Sequence, residues 1–134
     1  MLVDRGDGYF NLPTRTATWR SLYGKVVPMP AYIIARSHLK DFSKESKRGM
    51  QEYVEAYLRV VEDHPHTHLA QGVVAEVLEG EPREGAYFIQ EFPSKEAALA
   101  FYHSPEYQKA VAIRQRHSVT EMILVDGAFD YQAD

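Results

Sequence analysis

Strand and helix signals follow one another along this chain in the order β-α-β-β-α-(α)-β. That order predicts an α+β fold, a four-stranded antiparallel sheet with its crossover helices on one face. Three observations carry the expectation. Residues 43–63 hold one apolar stripe at helical spacing, residues 80–85 have turn composition between two strand-like runs, and Ser104-Pro105 restarts a second helical stretch.

Each element has its own reason. Residues 31–38 (Ala-Tyr-Ile-Ile-Ala-Arg-Ser-His) read as a strand entered through Pro30, which favours extended backbone before it. In the next segment Met50, Tyr53, Val54, Tyr57, Leu58 and Val61 recur at i, i+3, i+4, i+7, i+8 and i+11. Asp41 or Ser43 can cap this helix, and Pro65 ends it. Residues 68–79 and 86–92 read as a hairpin around Gly-Glu-Pro-Arg-Glu-Gly. Ser94 caps a helix over 95–103; Ser104, with proline at the position that tolerates a missing N–H, opens another that runs to about Arg116. Residues 119–125 form the last strand, ended by Asp126-Gly127. Residues 1–28 show no sustained period and read as an irregular extension, with Tyr9, Phe10, Trp19 and Tyr23 as its apolar anchors; residues 29–134 form the domain.

Composition narrows the function classes. With 134 residues the chain fits one domain. Fifteen basic against 19 acidic residues leave a net charge of −4, which argues against general affinity for nucleic acid or anionic membrane. The chain has no cysteine, which excludes disulfides, thiolate nucleophiles and cysteine-ligated metals. No apolar run approaches the roughly 18 residues that span a bilayer, and the N-terminus lacks a signal-peptide core, so a cytoplasmic home is expected.

Side-chain alternation gives the sheet two different faces. Ile33, Ala35, Phe88, Phe92, Met122 and Leu124 suit packing against helices. The opposite set, Tyr32, Ile34, Arg36, His38, Tyr87, Ile89, Glu91, Glu121, Ile123 and Val125, mixes aliphatic with ionisable groups. The element order is that of the ferredoxin-like fold, which leaves this second face open, and a two-fold homodimer through it is the natural closure.

Specific stretches then point to a family. Met29-Pro-Ala-Tyr-Ile-Ile-Ala, Gly72-Val-Val-Ala-Glu-Val-Leu-Glu-Gly-Glu, Glu91-Phe-Pro-Ser-Lys-Glu-Ala-Ala, Tyr102-His-Ser-Pro-Glu-Tyr-Gln and Arg114-Gln-Arg together resemble the bacterial domain of unknown function 1330, over residues 29–128. The resemblance implies the dimeric α+β-barrel superfamily, in which two ferredoxin-like sheets face each other. That superfamily includes cofactor-free monooxygenases, small isomerases, haem enzymes and ligand binders. It also places an arginine at Arg114. The chain departs from the family pattern at residues 40–44, at His64-Pro-His66-Thr-His68 and in its 28-residue front extension.

Two readings of function follow. In the first, a homodimer binds a small aromatic or carboxylated molecule between sheet and helices and acts on it without cofactor or metal, by proton transfer or, as the resemblance suggests, oxygenation. His38, Glu91 and Tyr87 are then the candidate catalytic residues, and Arg36, Tyr32, Arg114 and His117 the candidate substrate-binding ones, because half-buried carboxylates, imidazoles and guanidinium groups suit proton transfer and anion binding. In the second, a non-catalytic interaction or assembly module uses the same residues as an interface network. His64, His66 and His68 are also weighed as metal ligands, but their spacing matches no established zinc pattern, and the polar loop they occupy accounts for them. A cavity of roughly 300 Å³ that encloses at least two of the ionisable candidates favours the first reading.

Overall fold

The computed structural model describes residues 19–22 and 25–127. The elements are β1 (Trp19–Leu22), β2 (Lys25–Pro28), β3 (Ala31–Leu39), α1 (Lys44–Asp63), β4 (Thr67–Val73), β5 (Ala86–Phe92), α2 (Lys95–His103), α3 (Pro105–His117) and β6 (Ser118–Asp126). β4, β5, β3 and β6 form an antiparallel sheet in that order, the α+β, ferredoxin-like arrangement that the element order predicts. Among the described residues no helix is long and apolar enough to cross a membrane.

Two differences from the sequence reading have physical causes. The extension, which lacks a strand period, contains the short antiparallel pair β1–β2, held by main-chain pairing that needs no alternation of side chains. Its expected anchors Tyr9, Phe10 and Tyr23 lie outside the described residues. The strand expected over 68–79 stops at Val73, and residues 74–85 form a longer connection to β5. Every residue of β4 is exposed, and among the described residues β4 pairs with one neighbour, so the valines and leucine after Val73 gain nothing from extending it.

Serine side chains start α1, α2 and α3. Ser43, Ser94 and Ser104 accept from the backbone N–H groups of Ser46, Ala97 and Tyr107 at 3.1, 3.0 and 3.1 Å. The core lies toward one end of the sheet, where Ile33 and Phe92 meet Tyr57, Val60, Phe101, Tyr107, Ala110 and Val111. The α1 stripe is only partly core. Tyr57 is buried, but Val54 and Leu58 are 47% and 57% exposed, and Val60, off the stripe, is buried instead. The exposed pair lines the opening described below. α1 and α3 pack so closely that a Cβ at Gly49 would lie 2.1 Å from the His117 ring.

Gly80 and Gly85 have φ of 97° and 108°, a region that favours glycine. A Cβ at Gly85 would lie 2.7 Å from the Ser37 carbonyl oxygen, whereas one at Gly80 would meet nothing. Gly80→Ala is therefore expected to cost about 1 kcal/mol, and Gly85→Ala at least about 2 kcal/mol. Urea unfolding midpoints of the two variants measure the difference.

Candidate functional site

The helix-facing side of the sheet changes character along its length. Beyond the core, its residues become small or polar: Ala35 and Ser37 on β3, Gln90 on β5, Thr120 on β6. A cavity of about 420 Å³ opens there between sheet and helices. Met50, Tyr53, Val54, Tyr57 and Leu58 of α1 and Tyr107 and Arg114 of α3 form its roof, with Phe88, Met122, His68 and Gln71 completing the walls.

Arg114 dominates the electrostatics. It sits seven residues after Tyr107 on the buried stripe Tyr107, Ala110, Val111 and Arg114, so helical spacing carries it into the protein, where it is 6% exposed. Its guanidinium carbon lies 5.5 Å from the centre of the Tyr53 ring. Among the described residues no carboxylate pairs with it, and its buried Nε has no hydrogen-bond partner. Beside it the Tyr53 and Tyr107 hydroxyls are 2.8 Å apart. Burial pushes both phenols above their ordinary pKa, offset in part by the nearby guanidinium, so both keep their protons at neutral pH. Two hydroxyls hold two protons and one bond between them uses one, which leaves one donor free.

A second cluster centres on Tyr57. Its hydroxyl lies 2.5 Å from His66 Nε2 and 2.9 Å from His68 Nε2, and it accepts from Gln90 Nε2 at 2.9 Å. The two histidines thus converge on a phenol. Among the described residues no group of three or more histidine, aspartate or glutamate side chains could hold a metal. Burial lowers the His66 pKa, favouring the neutral ring, and raises that of Tyr57.

The residues singled out in the sequence divide between the two faces. Arg114 lines the cavity. His117, three residues on, packs its ring against Gly49 and is not among the lining residues. The other candidates lie on the opposite face of the sheet. Arg36 bridges to Glu121 at 2.9 Å and donates to the Glu84 carbonyl at 2.7 Å; Arg83 reaches the same Glu121 at 2.5 Å. Hydrogen bonding from Arg36, and the charges of Arg36 and Arg83, hold the Glu121 carboxyl below its ordinary range. His38 Nδ1 donates to the Leu39 carbonyl at 3.2 Å, with Nε2 3.8 Å from Glu84. Tyr32 donates to the fully buried Glu91 at 2.9 Å. Tyr87 lines a shallow groove with Val73, Val74 and Leu78. Tyr32 and Arg36 are four residues apart, about 13 Å along β3, so this set makes two separate groups. The cavity exceeds the expected volume but encloses only one of the ionisable candidates, Arg114. The apolar stripe of α1 reads Tyr53 and Tyr57 as core residues; the i, i+4 spacing of these tyrosines opposite His66-Thr67-His68 is the pattern that marks the site.

The sequence profile of the domain of unknown function DUF1330 matches residues 30–128. The chain belongs to the DUF1330 family. No curated protein matches this DUF1330 chain. Among solved structures, it is similar to a protein of unknown function from Rhodopseudomonas palustris, at 21% identity over 75% of this chain and 84% of that one, with a TM-score of 0.60. A Dabb family protein with a ferredoxin-like fold from Mesorhizobium loti MAFF303099 is 14% identical over 75% and 97%, with a TM-score of 0.51. A dimeric ferredoxin-like protein of unknown function from Bacteroides fragilis NCTC 9343 is 18% identical over 73% and 95%, with a TM-score of 0.48.

Two outcomes are expected from these environments. Replacing a buried charge that lacks a counter-ion by an apolar group of similar length removes a desolvation cost, so Arg114→Met is expected to leave the thermal midpoint unchanged or raise it, with a gain of up to about 4 kcal/mol. For His66 the folded pKa lies below the unfolded value of 6.5. The unfolded chain therefore takes up the proton first as pH falls. This contribution to stability is complete above about pH 6.5 and is lost as pH drops toward the folded pKa. Urea midpoints between pH 7.5 and pH 5 should fall, and the fall should be smaller in His66→Gln.

Proposed function

We propose that this chain is a homodimeric small-molecule binding protein, with an aromatic carboxylate held in the cavity and a second copy on the face of the sheet opposite α1, α2 and α3. The observation that carries the reading is Arg114, a permanently charged, buried guanidinium without a carboxylate partner among the described residues, facing a cavity walled by tyrosines. Arg114 anchors the carboxylate, the free phenol proton of the Tyr53–Tyr107 pair donates to a neighbouring oxygen, and the rings of Tyr53, Tyr57 and Phe88 take the aromatic part.

The opposite face supports the dimer. Ile89, Ile34 and Ile123 stand in register across β5, β3 and β6, and Ile123 is 59% exposed. Val119 and Val125 extend this apolar ladder along β6, and Arg36, Glu121 and Arg83 flank it with charges already paired within the subunit. In this reading Arg36, His38 and Tyr87 belong to the dimer face, Glu91 is already buried within the subunit beside Tyr32, and His117 serves helix packing.

Calorimetric titration with phenylacetate is expected to show binding to the native chain that weakens by about 10- to 100-fold in Arg114→Met. Affinity independent of Arg114 would contradict the reading. Sedimentation velocity should give a dimer for the native chain and a folded monomer for Ile34→Lys.

A further inference from the structure

The cluster around the Tyr57 hydroxyl lines the same cavity, its polar atoms take no part in holding the carboxylate, and its proton positions follow from its geometry. His66 Nδ1 lies 2.8 Å from the His64 carbonyl oxygen, which can only accept, so Nδ1 carries a proton. In the neutral ring Nε2 is then an acceptor, and the Tyr57 hydroxyl donates to it. Having spent its one proton, Tyr57 Oη accepts from its other two neighbours, Gln90 Nε2 and His68 Nε2. The 3.4 Å approach of Gln90 to His68 is between two donors that share this acceptor. His68 is thereby fixed with its proton on Nε2. Its Nδ1 keeps a lone pair with no hydrogen-bond partner among the described residues, on an exposed side chain at the cavity wall.

We propose that His68 is a general base and that the chain catalyses proton transfer on an aromatic 2-oxo acid, a substrate class that combines a carboxylate for Arg114 with an acidic C–H beside a carbonyl. This rests on the anion-binding reading of the same cavity. The C–H bond next to the carbonyl breaks, its proton goes to His68 Nδ1, and its electron pair moves into the carbonyl to give an enolate. The free phenol proton of the Tyr53–Tyr107 pair donates to that oxygen. Return of the proton from His68 to oxygen gives the enol, and its return to carbon regenerates the ketone, so atoms and charge balance without oxidant or co-reactant. Tyr57, His66 and Gln90 are positioning residues. Together they hold the imidazole in one tautomer, and Tyr57 Oη accepts the hydrogen bond of the imidazolium that forms.

The test uses phenylpyruvate, whose benzylic protons exchange with D2O through the enol and are followed by proton NMR, alongside calorimetric binding of the same compound. The native chain is expected to accelerate exchange at least about 100-fold over buffer. His68→Ala should lose that acceleration with phenylpyruvate affinity unchanged, and added imidazole should restore part of it. Tyr57→Phe should lower kcat with little change in KM. Exchange as fast in His68→Ala as in the native chain, or no acceleration by the native chain, overturns the proposal. Binding that depends on Arg114 with exchange that ignores His68 removes only the general base. Binding that ignores Arg114 removes the anion site and the proposal with it.

Discussion

A guanidinium taken out of water loses hydration worth several kcal/mol, and folding tolerates the loss only where other groups replace it. The packing of α1 on α3 carries Arg114 into that position, because the residues one and two turns before it on the same stripe are core residues. An aromatic ring and two phenol hydroxyls offset part of the loss, and no carboxylate completes the pairing among the described residues. The rest of the site follows from this residue. The cavity beneath it stays open because the strands place alanine, serine and threonine where larger side chains would fill it, and the tyrosines stay protonated donors because they share its burial.

The sheet separates two kinds of chemistry with one backbone. Successive residues on a strand face opposite ways, so β3 sends Ala35 and Ser37 toward the cavity while Ile34 and Arg36 point to the face that a second copy would cover. On that face Arg36 and Arg83 share the Glu121 carboxylate. The guanidinium in the cavity lacks such a partner.

Much of the fold is legible from periodicity and punctuation. The α1 stripe, the three serine caps, the proline after Ser104 and the alternation of β3 each specify local structure without help from distant residues. The β4 boundary is not legible in that way, since Val74, Val77 and Leu78 read as strand but lie in exposed chain beyond the last residue pair with β5. For the site, Arg114 and the pairing of His66 with His68 were within reach of the sequence. The convergence of both imidazoles on Tyr57 was not, because it depends on how α1 crosses above β4, a tertiary relation that no spacing encodes. Assigning Tyr53 and Tyr57 to an apolar stripe alone overlooks what a buried phenol carries at its far end.

The most direct test of the account is a crystal structure of the chain with a brominated phenylpyruvate, located by the anomalous signal of bromine. The account predicts the ring between α1 and the sheet and a carboxylate oxygen within hydrogen-bonding distance of Arg114 Nε. A carboxylate bound instead at Arg36 on the opposite face, or a cavity filled by solvent alone at saturating ligand, would contradict it.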